Sequence, residues 1–265
     1  MNPKPPLVRV GIRVRADRAE VALAHLLPIL QAGAEEREVE GAVEFSLYAP
    51  AGELPRLADI RALAGDALIE VVSEPVPEGW ERRWHDHLRP VRVGSLVVRP
   101  PWVEGEPSDV VIDPGVFFGA GTHATTQLCL ALLQELQPAG PLCDWGAGTG
   151  VLAIAAARLG WEPVTAVEVD PGALEAISLN AAANHVAVTT RWLNLAATPA
   201  PWAPVVTANL TRELLLDIAA LIERPPELLI ASGLLVGEVD EVVAAFGLRE
   251  QERRAKGEWA AVVLG

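Results

Sequence analysis

The stretch Asp144-Trp-Gly-Ala-Gly-Thr-Gly150 decides the fold of this 265-residue chain. It follows a short apolar run at residues 142–143 and leads into the alanine-rich residues 151–159. The pattern therefore predicts a strand, a tight glycine turn and a helix. Glycine permits such a turn and lets a ligand approach the main chain. A strand, a glycine loop and a helix in this order indicate an α/β domain with a binding site beyond the strand.

The spacing of the glycines distinguishes this loop from a dinucleotide-binding loop. Gly146, Gly148 and Gly150 follow a G-x-G-x-G pattern, and Val151 takes the place of the third glycine in the G-x-G-x-x-G fingerprint. Asp144 adds a negative charge that would repel a pyrophosphate but favour the ammonium and sulfonium of S-adenosylmethionine. We therefore expect a methyl-donor site, although glycine turns after strands also occur without a ligand.

An acidic residue follows the next predicted strand, over residues 164–167. Glu168 lies about 20 residues past the loop, where an acid accepts hydrogen bonds from ribose hydroxyls. Asp170 and Pro171 fit a different role, because they form a helix N-cap followed by proline at the first helical position. Glu168 has no such structural explanation, so it is the predicted ribose-binding acid.

Composition and charge exclude several classes of protein. The net charge of -14 argues against a nucleic-acid binder that is held by phosphate contacts, and favours a basic protein partner. Cys129 and Cys143 are the two cysteines, so we expect buried thiols, no disulfide framework and no structural metal site. No apolar run approaches the about 20 residues of a membrane span, and the first residues lack the apolar core of a signal peptide. We expect a soluble, cytoplasmic protein.

Residues 1–75 alternate between strand and helix patterns and predict a small α+β domain. The pattern places strands over residues 7–14, 43–47 and 68–72, with room for one more near 35–40, and helices over residues 19–30 and 54–63. Two helices on one face of an antiparallel sheet form the ferredoxin-like, split β-α-β layout.

Residues 76–104 are rich in proline and tryptophan and are predicted to connect two domains. Trp80 and Trp84 lie four residues apart, so one helical face would present both indoles. They either lock the connection against a domain or contact the substrate, and the pattern favours packing. The connection is either a hinge or a rigid brace.

Residues 105–265 repeat a strand and helix pattern, which predicts a mostly parallel sheet covered by helices on both faces. Parallel strands are predicted over residues 142–143, 164–167, 205–208 and 228–231, and a terminal hairpin over residues 248–255 and 259–264. The expected fold class is α/β, with a Rossmann-like domain that follows the small α+β domain.

The segment Asp113-Pro-Gly-Val-Phe-Phe-Gly-Ala-Gly-Thr-His-Ala-Thr-Thr126 resembles the DPGxAFGTGxHxTT segment of the ribosomal protein L11 methyltransferases. Further similarity lies in the glycine loop and in Val167-Glu-Val-Asp-Pro171, Ala208-Asn-Leu210, Ser232-Gly233 and Glu258-Trp259, and upstream at Trp80, Trp84, Pro90 and Trp102. The resemblance extends over about residues 76–265. It implies a seven-stranded methyltransferase domain, S-adenosylmethionine as the cofactor and ribosomal protein L11 as the partner.

The resemblance also implies roles for particular residues. The predicted cofactor contacts are Thr126, Gly146, Glu168, Asn209, Phe118, Asp144 and Gly148. Asn209 and His123 are the candidate catalytic residues. His123 alone fits loop packing equally well, and Asn209 alone would also fit a strand-end cap.

Two positions depart from the family's pattern. Ala120 stands where the family usually has threonine, so the loop expected to cover the cofactor lacks one hydroxyl. Glu168 replaces the commoner aspartate and keeps the same chemistry with a longer reach. The charged residues Thr211-Arg-Glu213 after Asn209 leave the details of substrate binding open.

The implied reaction is N-methylation of lysine side chains or N-terminal amines of ribosomal protein L11, with residues 1–75 gripping the protein substrate. Such a transfer needs a neutral amine in line with the methyl group, so positioning and loss of the amine proton are the main tasks. Two alternatives stay open. One is a lysine methyltransferase that acts on another protein, and the other is an assembly factor that binds the cofactor without catalysis.

Overall fold

The chain forms two compact units, Met1–His87 and Leu88–Gly265. The computed structural model describes residues 7–30, 35–39, 41–50, 52, 54–76, 88–115 and 117–265. Trp80 and Trp84 lie outside the described residues, so the prediction that they share one helical face stays a prediction.

The smaller unit is a four-stranded antiparallel sheet with two helices. Its elements are β1 (Leu7–Arg15), α1 (Ala19–Leu30), β2 (Glu35–Val39), β3 (Ala42–Pro50), α2 (Leu57–Ala64) and β4 (Leu68–Pro75). The strands lie in the order β2-β3-β1-β4, and each neighbouring pair is antiparallel. This is the ferredoxin-like layout predicted from the sequence, and the additional strand expected near residues 35–40 is present.

Strand β1 shows how the sequence directs this sheet. Val10, Ile12 and Val14 are buried, and α1 packs against the strand. Successive side chains of a strand point to opposite faces, so Arg9 and Arg13 lie on the face away from these core residues. The alternation of apolar and basic residues therefore separates a core face from a charged face.

A buried carboxylate lies on the charged face of this sheet. Glu44 of β3 has no exposed surface and forms ion pairs with Arg9, with Arg13 at 2.6 Å and with Arg37 at 3.0 Å. Burial pushes the pKa of Glu44 upward, but the hydrogen bonds from Arg13 and Arg9 outweigh it and hold the pKa below its ordinary value. Three arginines thus keep this buried group charged.

The larger unit begins within the predicted connection. Strands β5 (Val91–Val93), β6 (Leu96–Arg99) and β7 (Val110–Val111) form a three-stranded sheet in that order. Gln134 Nε2 donates to the carbonyl of Val93 at 2.9 Å, and its Oε1 accepts from the N–H of Ser95 at 2.9 Å. Residues 88–104 therefore belong to the larger unit, because their backbone groups pair within it.

A seven-stranded sheet forms the centre of the larger unit. Its strands are β8 (Leu142–Trp145), β9 (Val164–Glu168), β10 (Thr189–Trp192), β11 (Val205–Asn209), β12 (Leu228–Leu235), β13 (Glu250–Lys256) and β14 (Trp259–Leu264). They lie in the order β10-β9-β8-β11-β12-β14-β13. Strands β8 to β12 are parallel, and β14 is antiparallel to both β12 and β13. The predicted parallel strands and terminal hairpin are confirmed.

The helices of the larger unit are α3 (Ala124–Leu133), α4 (Val151–Leu159), α5 (Pro171–Ala183), α6 (Arg212–Leu221) and α7 (Val239–Phe246). Val206 of β11 shares a hydrophobic cluster with Leu215 of α6 and Val239 of α7. The next residue, Thr207, therefore points to the opposite face of the sheet. Asp144 is its partner in the register of β8 and β11, so both polar side chains lie on that face.

The strand order creates a switch point at the centre of the sheet. From β8 the chain proceeds to β9 and β10 on one side, and then returns to β11 and β12 on the other. Open α/β sheets bind ligands beyond the carboxyl ends of the strands at such a point. The glycine loop follows β8 and Asn209 ends β11, so both lie at this position.

Candidate functional site

The glycine loop joins β8 to α4 and is packed from two sides by the protein itself. Gly148 has a φ of +53°, and a Cβ atom there would lie 2.5 Å from the carbonyl oxygen of Phe118. Gly146 has a φ of +69°, and a Cβ atom there would overlap the side chain of Leu210. The backbone contact therefore requires glycine at position 148, and the positive φ favours glycine at position 146.

The covering segment, residues 113–126, is bonded directly to the glycine loop. The N–H of Thr149 donates to the carbonyl of Phe118 at 3.0 Å. The hydroxyl of Thr149 donates to the carbonyl of Gly119 at 2.9 Å, and Thr149 is fully buried. The covering segment and the glycine loop, which are separate motifs in the sequence, are thus joined by hydrogen bonds.

Asp144 is buried and hydrogen-bonded inside the protein. Its Oδ1 accepts from the hydroxyl of Thr207 at 2.7 Å, and its Oδ2 accepts from the N–H of Ala153 at 3.1 Å. Burial raises the pKa of Asp144 to about 7, although these two hydrogen bonds oppose the rise. The carboxyl group is thus partly protonated near pH 7, so its repulsion of a pyrophosphate is weaker than its sequence position suggests.

Glu168 lies at the end of β9 with its carboxylate held by three backbone donors. Its Oε2 accepts from the N–H of Gly148 at 2.9 Å. Its Oε1 accepts from the N–H groups of Val169 at 2.7 Å and Asp170 at 3.2 Å. A carboxylate has about four acceptor positions, so one remains beside the glycine loop. This placement suits the ribose-binding role predicted for Glu168.

Asp170 has the structural role that the sequence predicts. Its Oδ1 accepts from the N–H of Gly172 at 2.7 Å and from the N–H of Ala173 at 3.3 Å, and Pro171 is the first residue of α5. The N-cap is confirmed.

Asn209 and Thr126 meet at the carboxyl end of β11. The Nδ2 of Asn209 donates to the hydroxyl oxygen of Thr126 at 3.3 Å, and Thr126 is fully buried in the first turn of α3. The Oδ1 of Asn209 is also buried, and it has no hydrogen-bond partner among the described residues. A buried acceptor without a partner costs free energy until a ligand or water supplies a donor.

His123 caps α3 and contacts two aromatic rings. Its Nδ1 accepts from the N–H of Thr125 at 3.3 Å. Its ring centroid lies 5.4 Å from that of Phe118 and 4.9 Å from that of Trp259, both in edge-on geometry. Burial lowers the pKa of His123 to about 4, so the imidazole is neutral at pH 7. These contacts favour loop packing over proton transfer for His123.

Asn180 and Asn184 hold the start of the covering segment. Neither was among the predicted site residues. Asn180 Nδ2 donates to the carbonyl of Asp113 at 3.0 Å, and its Oδ1 accepts from the N–H of Asp113 at 2.9 Å. Asn184 makes the same pair of bonds with Val111, at 2.6 Å and 2.8 Å. Asn180 Nδ2 also donates to the carbonyl of Thr149 at 3.0 Å.

The spacing of Asn180 and Asn184 in the sequence is the pattern that could have identified them. Asn180 and Asn184 are separated by three alanines and are each 3% exposed. Residues four apart lie on one face of a helix, and buried amides need hydrogen-bond partners. Two amides on the buried face of a helix therefore indicate a backbone segment packed against it.

The structure brings six of the predicted site residues together in three contacting pairs, whereas Asp144 bonds to Thr207 and Ala153. Glu168 contacts Gly148, Asn209 contacts Thr126, and Phe118 contacts His123. Within the described ranges, no group of three or more histidine, cysteine, aspartate or glutamate side chains is arranged to hold a metal ion. In the same part of the chain, no helix is long and apolar enough to cross a membrane.

Comparison with known proteins identifies related sequences. A family model described as ribosomal protein L11 methyltransferase matches residues 52–265. A ribosomal protein L11 methyltransferase from Geobacter metallireducens is 39% identical over 197 residues, which cover 70% of this chain and 66% of the relative. The protein of the same name from Geobacter sulfurreducens is 35% identical over 248 residues, which cover 85% of this chain and 82% of the relative. The chain thus spans just under two thirds of the first relative.

A solved structure has a similar fold. It is the ribosomal protein L11 methylase from Lactobacillus delbrueckii subsp. bulgaricus, with a TM-score of 0.58 and 24% sequence identity. The match covers 66% of this chain and 97% of that chain. At this identity the likeness supports the fold alone.

Proposed function

The chain belongs to the ribosomal protein L11 methyltransferase family, and from this premise we propose that it transfers methyl groups from S-adenosylmethionine to amines of ribosomal protein L11. The acceptors are lysine ε-amines, N-terminal amines or both. The observation that carries the proposal is the buried Oδ1 of Asn209, which has no partner among the described residues. An amine carries the N–H donor that this oxygen needs.

The described side chains fit S-adenosylmethionine as the cofactor. Glu168 keeps acceptor capacity for ribose hydroxyls after its three backbone bonds. Thr126 and Asn209 add oxygen atoms at the neighbouring strand end, and oxygen-rich surroundings favour a ligand with ammonium and sulfonium charges. Gly146 and Gly148 keep side chains out of the loop between these groups.

Asn209 is the residue that we assign to orienting the acceptor amine. Bound S-adenosylmethionine supplies an electrophilic methyl group on its sulfonium. Asn209 Oδ1 accepts an N–H of the neutral amine, and the bond from Asn209 Nδ2 to Thr126 holds the amide in one orientation. Fixed orientation of the nucleophile lowers the entropic part of the barrier.

We assign removal of the amine proton to a water molecule. His123 is a poor acceptor for it, because its Nδ1 lone pair is used in the helix cap and burial lowers its pKa to about 4. His123 and Phe118 instead hold the covering segment in place through their ring contact.

Residues 1–75 are assigned to gripping the protein substrate, and residues 105–265 to the chemistry. Residues 105–265 carry 8 basic and 19 acidic side chains, whereas residues 1–75 carry 8 and 12. An acidic catalytic region attracts a lysine-rich protein. The proposed function does not require binding of nucleic acid. The proposed enzyme is cytoplasmic.

The decisive experiment incubates the purified chain with ribosomal proteins and S-adenosylmethionine labelled in its methyl group. We expect label in ribosomal protein L11. Label in a different protein would favour the alternative lysine methyltransferase. Calorimetric binding of the cofactor without any transfer of label would favour the assembly factor. Absence of cofactor binding would contradict both methyltransferase functions and the assembly factor.

Deletion of residues 1–75 tests whether this region binds the protein substrate while residues 105–265 carry out the reaction. We expect the truncated protein to bind S-adenosylmethionine with unchanged affinity but to lose methylation of ribosomal protein L11. Calorimetry measures the first property and transfer of label the second. A truncated protein as active as the whole chain would contradict the gripping role.

A further inference from the structure

One side chain of α5 connects the two loops of the site. The carboxamide of Asn180 pairs with the backbone of Asp113, where the covering segment begins. The same Nδ2 donates to the carbonyl of Thr149, in the glycine loop. Asn180 is 3% exposed, so no solvent replaces these bonds when they break. One buried amide therefore bridges the covering segment and the glycine loop, in addition to the direct bonds that Thr149 makes to Phe118 and Gly119.

We propose that Asn180 is a positioning residue, which holds these two segments in the arrangement that binds S-adenosylmethionine. The inference rests on the proposed function for the identity of the ligand. Thr149 also donates to Phe118 and Gly119, so movement of the covering segment at Asp113 alters its contacts with the glycine loop. A ligand that binds only one arrangement loses affinity in proportion to the population of that arrangement.

Asn184, the C-cap residue that follows α5, provides a matched control. It is also 3% exposed, and it makes the same two-bond pair with the backbone of Val111. Its Nδ2 makes a further bond to the carbonyl of Asn180, which is local to the helix and does not reach the glycine loop. Loss of Asn184 therefore removes comparable buried hydrogen bonds without separating the two loops at Thr149.

The experiment compares Asn180→Ala with Asn184→Ala in the full chain. We expect similar decreases in thermal stability, because each substitution removes a buried amide with three hydrogen bonds. For Asn180→Ala we expect the Kd for S-adenosylmethionine to rise about ten-fold, the loss of roughly one net hydrogen bond. For Asn184→Ala we expect a change of less than about two-fold, within the scatter of a remote substitution.

Steady-state kinetics adds a readout that a general loss of stability does not move. In Asn180→Ala, the KM for S-adenosylmethionine should rise with its Kd, whereas kcat at saturating cofactor should stay within about two-fold of wild type, because saturation restores the binding arrangement. Equal effects of both substitutions on Kd, or no effect of Asn180→Ala, would overturn the inference.

Asn180→Asp keeps the proposal testable if Asn180→Ala does not fold. The carboxyl oxygen still accepts from the N–H of Asp113, but the ionised side chain has no donor for the carbonyls of Asp113 and Thr149. We expect a native circular dichroism spectrum and a raised Kd, and an unchanged Kd would contradict the inference. Failure of the wild-type chain to bind S-adenosylmethionine would instead contradict the proposed function.

Discussion

Glu44 in the smaller unit and Asp144 in the larger unit are both buried carboxyl groups, yet the two units hold them in opposite ways. Glu44 is surrounded by the guanidinium groups of Arg9, Arg13 and Arg37, and its pKa lies below the ordinary value. Asp144 is bonded to a hydroxyl and a backbone N–H, and burial raises its pKa to about 7. The charge of the partners therefore decides the ionisation of each group.

The difference gives the two groups opposite effects on stability as pH changes. A lowered folded-state pKa means that Glu44 stabilises the fold above its unfolded pKa and loses this contribution as pH falls. A raised folded-state pKa means that Asp144 contributes most below its ordinary pKa of 3.8, and that it loses this contribution progressively as pH rises from there to about 7. The smaller unit holds a carboxylate that is charged at neutral pH, and the larger unit holds a carboxyl group that titrates near neutral pH.

The largest expected effect comes from Glu44→Ala, which leaves three arginines without their shared anion. We expect a loss of about 2 kcal/mol in the free energy of unfolding, less than for a fully buried pair because all three arginines keep some solvent contact. The measurement is urea unfolding followed by far-ultraviolet circular dichroism. Glu44→Gln is the control, and its smaller loss should reflect the one acceptor oxygen that it keeps.

Tryptophan fluorescence localises this effect. Six of the eight tryptophans, from Trp102 onwards, lie in the larger unit, so their fluorescence reports mainly on that unit and not on the smaller sheet. We expect Glu44→Ala to shift the circular dichroism transition more than the fluorescence transition. Equal shifts of both would show that the charge cluster does not act within the smaller unit.

A smaller effect, of opposite sign, is expected from Asp144→Asn. The new amide can accept from the N–H of Ala153 and donate to the hydroxyl of Thr207, so both contacts survive without a buried charge. At pH 8 we expect a gain of about 1 kcal/mol in the free energy of unfolding. The gain should be smaller at pH 5, because wild-type Asp144 is protonated in the folded state there and only its ionisation in the unfolded chain disfavours folding.

Urea unfolding followed by tryptophan fluorescence measures this difference at the two pH values. Comparison of variant with wild type at each pH cancels the contribution of His123, whose lowered pKa decreases stability as pH falls from about 6.5 towards 4. A variant that is destabilised equally at both pH values would show that Asp144 does not titrate in this range.

The smallest effect is expected from Arg37→Ala. Its guanidinium lies 3.0 Å from Glu44, but its side chain is 55% exposed, so solvent screens the pair. We expect a loss of about 0.5 kcal/mol or less in the free energy of unfolding, again by circular dichroism in urea. A loss as large as that of Glu44→Ala would mean that Arg37 alone neutralises the carboxylate.

The strands that sequence patterns did not predict are short or exposed. In β10, Thr189, Arg191 and Trp192 are exposed, so the strand lacks the alternation that marks a half-buried strand. Strand β7 has only two residues, too few for any period. Both depend on pairing with neighbours in the sheet, which leaves little trace in the local sequence.

The candidate site was partly predictable. Resemblance to a family pointed to Asn209 and Thr126, and the structure pairs them across 83 positions of sequence. The partners of Asn180 are backbone groups, which no sequence pattern distinguishes, so its spacing from Asn184 indicates a buried helix face but not the two loops that it joins. Cofactor binding by these residues stays a prediction.

The sequence by itself determined the local features of this protein. Short-range periodicity and capping predict the strand, glycine loop and helix around residues 142–159, the N-cap at Asp170, and the two helices and strands β1, β3 and β4 of the smaller unit. Only the tertiary structure decided that Asp144 meets Thr207, 63 positions away, and that Asn180 joins two loops. The physical reason is that sheet register and buried hydrogen bonds bring together residues that are remote in the chain, and these contacts set the charge and position of each group.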